Sequence, residues 1–234
     1  MVKAMIFDVF GTVVDWRSGI ATEVGAYFSG RGVSVDAAAF ADAWRGKYQP
    51  AMAAIRDGKR GYIRLDVLHR ENLDATLADF RLDGEIDDAD RAILSRAWEK
   101  LPPWPDSVPG LTALKRHYAI APCSNGSISL MTWLARFGGL PWDCVLGAEI
   151  ARDYKPQLQV YRASAEALGL QPAETMMVAA HNADLEAARE AGLKTGFFPR
   201  PLENGPNQPA ELEASSDWDV IATDMEDLAR QMNA

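Results

Sequence analysis

The chain has 234 residues, with 24 Lys or Arg against 33 Asp or Glu, for a formal charge of -9. That balance, with no basic run, excludes a dedicated nucleic-acid binder. Apolar residues at 48% and charged residues at 24% exclude a disordered or collagenous chain and fit an ordinary folded domain. The length exceeds the ~150 residues of a typical domain, which predicts one large domain or a core with a subdomain. Cys123 and Cys144 are too few for a disulfide scaffold and lack the spacing of a zinc site, favouring a reducing compartment. The N-terminal apolar run stops at Asp8, short of a signal-peptide core, and no stretch approaches the ~18 apolar residues of a membrane span. A cytoplasmic protein with no membrane partner is expected.

Short apolar runs predict strands at Ala4–Phe7, Tyr118–Pro122, Asp143–Ala148, Thr175–Ala180, Thr195–Phe198 and Trp218–Ala222. Helical patterns fill the gaps in the second half, and this alternation predicts an α/β fold built on a doubly wound parallel sheet. Roughly 100 residues with almost no strand signal separate the first two runs, far beyond the ~10–12 that a crossover needs. The insertion reads as helical. Phe40, Trp44, Tyr48, Met52 and Ile55 recur every three or four residues, Leu65, Leu68, Leu73 and Leu77 make a second stripe, and Gly58 and Gly61 part the two. Pro102, Pro103, Pro105 and Pro109 predict a stiff return to the sheet. The expected division is an α/β core of residues 1–15 and 98–234 with a helical lobe of 16–97, and a cleft between them. Pro201–Pro209 reads as a polar surface loop.

Ligands of open parallel sheets bind beyond the carboxyl ends of the strands, so the residues just after each run are the ones to inspect. Asp8 to Thr12 follows the first run, Ser124, Asn125 and Gly126 the second, Lys155 and Pro156 the third, and His181, Asn182 and Asp184 the fourth. Singly, each has a plain reading as a turn residue, a helix cap or a solvated charge. Together they converge two carboxylates, a lysine and a hydroxyl at one sheet edge, which points to a site. The Gly-x-Ser-x-Gly, P-loop, His-Glu-x-x-His and dinucleotide glycine motifs are absent.

In order and spacing, Asp8-x-Phe-Gly-Thr12, Ser124-Asn-Gly126, Lys155-Pro156 and Asp184 resemble the four motifs of the haloacid dehalogenase superfamily. The resemblance is closer to the (S)-2-haloacid dehalogenases, because the phosphatase branch usually has a second Asp where this chain has Phe10. A benzyl group there removes proton delivery to a leaving alkoxide, whereas a halide needs no proton. Ala179 to Asp184 also offers few oxygen ligands to a hard cation, so neither metal nor cofactor is expected. The insertion matches the family's cap domain in place and length.

The resemblance implies hydrolysis of a short (S)-2-haloalkanoic acid to the (R)-2-hydroxyalkanoic acid, with haloacetates as candidate further substrates. The rival readings are a magnesium-dependent phosphatase on the same fold and a catalytically silent binding module. Asp8 is the expected nucleophile, forming an ester that water opens. Lys155 would keep Asp8 ionised, and Asp184 would serve as base for the water or orient Lys155. Ser124 and Asn125, with backbone N–H groups opening a helix near Ser127, suggest a carboxylate cradle. By resemblance, Arg45 receives the halide, Phe10 and Trp44 wall its pocket, and Thr12 and Tyr161 donate hydrogen bonds; the alternative for Arg45 is a surface pair with Asp42. His181 departs from the family, where Asn is usual, and could orient water or act as a base. His69 and His117 read as packing or surface residues. A homodimer is implied by resemblance alone.

Overall fold

The computed structural model describes residues 1–206 and 210–234. Its centre is a six-stranded sheet: β1 (Ala4–Phe7), β2 (Ala119–Ser124), β3 (Leu146–Gly147), β4 (Thr175–Ala179), β5 (Lys194–Phe197) and β6 (Val220–Ile221). The spatial order is β3-β2-β1-β4-β5-β6, and every pairing is parallel. β1 and β4 are buried along their whole length, as helices on both faces of a parallel sheet require. The fold is therefore the expected α/β class. Chain order reverses at β1, and register sets Phe7 opposite Pro122 on one side and Val178 on the other. Asp8 thus leaves the sheet at its topological switch point, where open α/β sheets bind ligands.

The segment between β1 and β2 is helical. It holds α1 (Trp16–Ser29), α2 (Ala37–Gly46), α3 (Tyr48–Arg56), α4 (Leu65–Asp79) and α5 (Asp88–Ser95), then a 3-10 turn at Arg96–Glu99. Asp15, Asp36 and Asp87 cap α1, α2 and α5 by accepting the backbone N–H three residues on. The stripe from Phe40 to Ile55 spans two helices, not one. Lys47 divides them yet keeps a right-handed conformation at φ -84 and ψ -10, so the apolar spacing carries across. That stripe buries Phe40 and Trp44 completely, with Trp44 edge-on to Trp98 at 5.5 Å. Aromatic edge-to-face pairs of this kind add about 0.5–1.5 kcal/mol beyond their burial.

The proline stretch returns the chain by pairing with the first crossing: Asp15 N–H donates to Pro102 O and Trp104 N–H to Val13 O. α6 (Ser107–Leu114) then leads into β2, and Ser127 caps α7 (Ile128–Gly138). The remaining helices are α8 (Ala148–Ala151), α9 (Leu158–Ala167), α10 (Asn182–Glu190) and α11 (Met225–Gln231). Two expected strands shrink. Asp143 staples a loop, its N–H on Ile120 O and its carboxylate accepting from Ile120 N, which leaves Leu146–Gly147 as β3. Trp218 instead turns its indole N–H onto Asn182, leaving Val220–Ile221 as β6. The expected surface loop at 201–209 is only partly so. Glu203 is buried, and residues 207–209 lie outside the described residues.

Candidate active site

Asp8 sits at the end of β1, its backbone N–H on Val178 O and its side chain buried. Lys155 Nζ donates to Asp8 Oδ1 at 2.9 Å. Asp8 Oδ2 accepts from Thr12 Oγ1 at 2.7 Å and faces His181 Nδ1 at 3.1 Å. Thr12 is aimed by its own acceptor role, since Ala180 N–H donates to its Oγ1 at 3.0 Å. Burial alone would raise the Asp8 pKa, but the charges and hydrogen bonds of Lys155 and His181 overcome it and hold the carboxyl well below its usual range.

Lys155 is fixed at both ends. Its backbone N–H donates to Asn125 Oδ1 at 2.8 Å, and its Nζ reaches Asp184 Oδ2 at 2.5 Å. The Tyr161 hydroxyl donates to Asp184 Oδ1. Burial works against the Lys155 ammonium, yet Asp184 and Asp8 hold its pKa above the ordinary lysine value. Burial, with Asp8 as a like charge, raises the Asp184 pKa even against the pull of Lys155. The pair of carboxylates is thereby differentiated: Asp8 stays ionised, and Asp184 is the more basic of the two.

A cavity of about 410 Å³ opens on this cluster. From the sheet side it is lined by Asp8, Phe10, Asn125, Lys155, His181, Tyr161 of α9 and Asp184 of α10. From the helical segment it is lined by Arg45, Tyr48, Gln49 and Arg56. Arg45 lies over aromatic rings, its guanidinium carbon 4.1 Å from the Tyr48 centroid, 5.2 Å from Trp16 and 5.6 Å from Phe10. Its Nη1 is buried with no hydrogen-bond partner among the described residues. Asp42 is gripped by Arg17 in a two-bond fork at 2.7 and 2.8 Å. Arg56 bridges to the strand side, its Nη1 donating to Lys155 O at 3.0 Å.

Three expected site residues stand behind the cavity wall. Thr12 acts through Asp8. Arg45, the neighbour of Trp44, enters the cavity while the Trp44 indole itself donates to His69 O at 2.9 Å, deep in the helical core. Ser124 Oγ accepts from Gly126 N–H at 3.0 Å and is fully buried. The expected anion cradle at the start of α7 is therefore largely satisfied internally: Ile128 N–H goes to Glu149 and Leu130 N–H to Ser127. Backbone donors already paired are not free to bind a ligand. His69, read as packing or surface, is packing: it stacks on Trp98 at 4.1 Å, and burial with Arg45 nearby holds its pKa well below the usual value.

Sequence reasoning missed Tyr48, Gln49, Arg56 and Glu203. The first three share a signal with Arg45: offsets of three, four and eleven residues put all of them on one helical face. Glu203 gave none. Both of its carboxylate oxygens lie 2.9 Å from His181 Nε2, which places the imidazole between two carboxylates. Burial opposes charge on that ring, but Asp8 and Glu203 outweigh it and raise the His181 pKa well above 6.5.

Residues 2–192 match the family model for haloacid dehalogenase-like hydrolases. The (S)-2-haloacid dehalogenase of Xanthobacter autotrophicus is 30% identical over 205 residues, covering 86% of this chain and 76% of that protein. The solved structure of a defluorinating L-2-haloacid dehalogenase superposes with a TM-score of 0.97 at 52% identity, over 100% of this chain and 96% of that one. A second L-2-haloacid dehalogenase structure gives 0.96 at 45% identity, over 100% and 99%. With sequence and fold matched over nearly its whole length, this chain belongs to the haloacid dehalogenase-like hydrolases, on the branch of the (S)-2-haloacid dehalogenases.

Proposed function

We propose that the chain hydrolyses short (S)-2-haloalkanoic acids to (R)-2-hydroxyalkanoic acids and halide through an ester on Asp8. The observation that carries this reading is a buried carboxylate kept ionised by Lys155 and facing a cavity whose opposite wall presents Arg45. In the first step an Asp8 oxygen attacks the halogen-bearing carbon from the side opposite the halogen, the carbon–halogen bond breaks, and the configuration inverts. The halide departs toward Arg45, whose Nη1, without a partner among the described residues, and aromatic surround suit a developing anion in a place of low dielectric. Phe10 and Tyr48 shape the pocket around it. Arg56 and Asn125, at the same cavity, supply polar contacts for the substrate carboxylate.

In the second step water attacks the ester carbon of Asp8. Asp184, more basic than an ordinary carboxylate and aimed by Tyr161 and Lys155, takes the water proton. Collapse breaks the bond between Asp8 Cγ and the oxygen now attached to substrate, and that oxygen leaves as the product hydroxyl with the proton. Two features oppose the phosphatase reading. Around Asp8, the residues 179–184 add Asp184 as their one carboxylate, and it is already engaged by Lys155 and Tyr161. Phe10, packed at 5.5 Å against Trp98, offers neither an acid nor an oxygen ligand.

On this reading residues 16–97 serve as a cap over a core formed by 1–15 and 98–234, and the cavity lined from both supports it. A cytoplasmic homodimer is part of the same reading. Two unpaired cysteines and the exposed Trp133 and Phe137, one turn apart on α7, are consistent with it. Halide release from (S)- and (R)-2-chloropropionate, chloroacetate and fluoroacetate in excess EDTA, beside a magnesium-supplemented aryl phosphate assay, tests the function. Metal-independent chloride from the (S)-acid is expected. Phosphate release without any halide would overturn it.

A further inference from the structure

We propose that Glu203 is a positioning residue for ester hydrolysis, holding His181 so that its Nδ1–H meets Asp8 Oδ2. This inference rests on the Asp8 ester of the proposed function and adds a residue that no motif supplies. Ionised carboxylates only accept hydrogen bonds, so an imidazole held between Asp8 and Glu203 donates from both nitrogens.

The placement of Glu203 is built into the fold. Its turn is anchored by the buried Arg200, which donates from Nε to Thr12 O at 2.8 Å and from Nη1 to Asp106 at 2.7 Å, while Glu203 N–H closes the turn on Arg200 O. The carboxylate reaches His181 only because residue 11 is glycine: a Cβ there would lie 2.1 Å from Glu203 Oε1. The nucleophile turn and the Glu203 turn are thus fitted to one another.

The asymmetry at Asp8 says which step this serves. Oδ2 already takes two donors, Thr12 and His181, whereas Oδ1 takes only Lys155. Oδ1 therefore keeps the freer lone pair and attacks substrate, and Oδ2 becomes the ester carbonyl oxygen. When water adds to Cγ, negative charge develops on Oδ2, where Thr12 and His181 already point their protons. Donors preorganised at a developing oxyanion need no rearrangement in the transition state. Esterification also removes the charge of Asp8, which leaves Glu203 as the carboxylate that keeps His181 a cation during this step. As the intermediate collapses, the Cγ–Oδ1 bond breaks, Oδ1 departs in the hydroxy acid, and Asp8 regains its charge with an oxygen from water.

The test is rapid-quench halide release and intact-protein mass for the parent, Glu203→Gln, His181→Asn and the double variant with (S)-2-chloropropionate. Glu203→Gln is expected to release about one halide per site in a burst close to the parent's first turnover. Its steady state should be at least ~10-fold slower with the ester adduct accumulating, and at most the ~10²–10³-fold that losing an oxyanion donor outright costs. The double variant should be no slower than His181→Asn alone, because Glu203 acts through His181. Ester hydrolysis at the parent rate in Glu203→Gln, or equal losses in burst and steady state, would overturn the assignment. So would multiplied losses in the double variant. If Glu203→Gln fails to fold, a His181→Asn protein that hydrolyses the ester at the parent rate overturns it equally. A parent that releases no halide instead overturns the proposed function itself.

Discussion

Lys155 and Asp8, 147 residues apart in the chain, meet as a buried ion pair at 2.9 Å, and the same ammonium grips Asp184 at 2.5 Å. One cation thereby serves two carboxylates with opposite properties, keeping Asp8 charged while aiming the more basic Asp184. Replacing Lys155 by Met leaves Asp8 buried among like charges, and its pKa rises. We expect halide release to fall at least ~10²-fold, with the acid limb of kcat/KM moving to higher pH. A pH–rate profile of Lys155→Met checks this; an unmoved acid limb would mean that another group holds Asp8 ionised.

Arg45 is expected to matter in proportion to the charge carried by the departing halogen. Loss of a single preorganised donor from a developing anion costs about 10²–10³-fold in rate. Arg45→Lys keeps a cation but loses the planar fork that lies over Tyr48. The burst rate should fall in Arg45→Lys and further in Arg45→Ala, more for fluoroacetate than for chloroacetate, because the poorer leaving group depends more on stabilisation. Melting temperature should change less than rate in both. Equal slowing across halogens would place Arg45 on the substrate carboxylate.

Much of this site is legible in the sequence because a parallel sheet turns strand ends into neighbours. Asp8, Asn125 and His181 stand just beyond a strand, Asp184 lies in the first turn of α10, Lys155 follows α8, and all five reach the cavity. Position alone could not say which way a side chain points. Ser124 has the right place and turns inward to hold Gly126, because a fully buried hydroxyl needs a partner close by. Trp44 and Arg45 are adjacent, so the helix sends one into the core and the other into the cavity. Glu203 was illegible for a different reason: it lies in a stretch of Pro, Asn and Gly that has no periodicity, and its burial depends on Gly11 and on the contacts of Arg200 with Thr12 and Asp106, all distant in the chain. The division of the Phe40–Ile55 stripe leaves no mark in the sequence because Lys47 interrupts the helix without disturbing its phase.

Stability should carry the His181 signature on the alkaline side. In the unfolded chain the ring titrates near 6.5, and between Asp8 and Glu203 it titrates well above that value. The folded state binds this proton more tightly, so its contribution is complete below about 6.5 and is lost as pH rises through the raised value. Asp8 has the opposite sign: its lowered pKa contributes stability above the usual carboxylate range, lost on acidification. Asp184, with a raised pKa, shares the sign of His181 but acts in the carboxylate range and offsets part of Asp8. Melting temperatures of the parent and His181→Asn between pH 6 and 10 check the point. The parent should decline more steeply; parallel curves would show that the ring is already neutral at pH 6.

Gly11→Ala tests whether the two turns are fitted to each other. Gly11 has φ +92, a conformation that costs an L-residue roughly 1–3 kcal/mol, and its added methyl would also strike the Glu203 carboxylate. The backbone cost is present whatever stands at 203, while the steric cost disappears when residue 203 is cut back. Gly11→Ala should therefore destabilise the parent more than it destabilises a Glu203→Ala protein, and the difference, about 1 kcal/mol or more, is the coupling between the turns. Denaturant unfolding of the four proteins of this cycle measures it. Equal costs in the two backgrounds would mean that glycine serves only its own backbone, whereas the expected inequality would make Gly11 the residue that lets a carboxylate approach the imidazole beside Asp8.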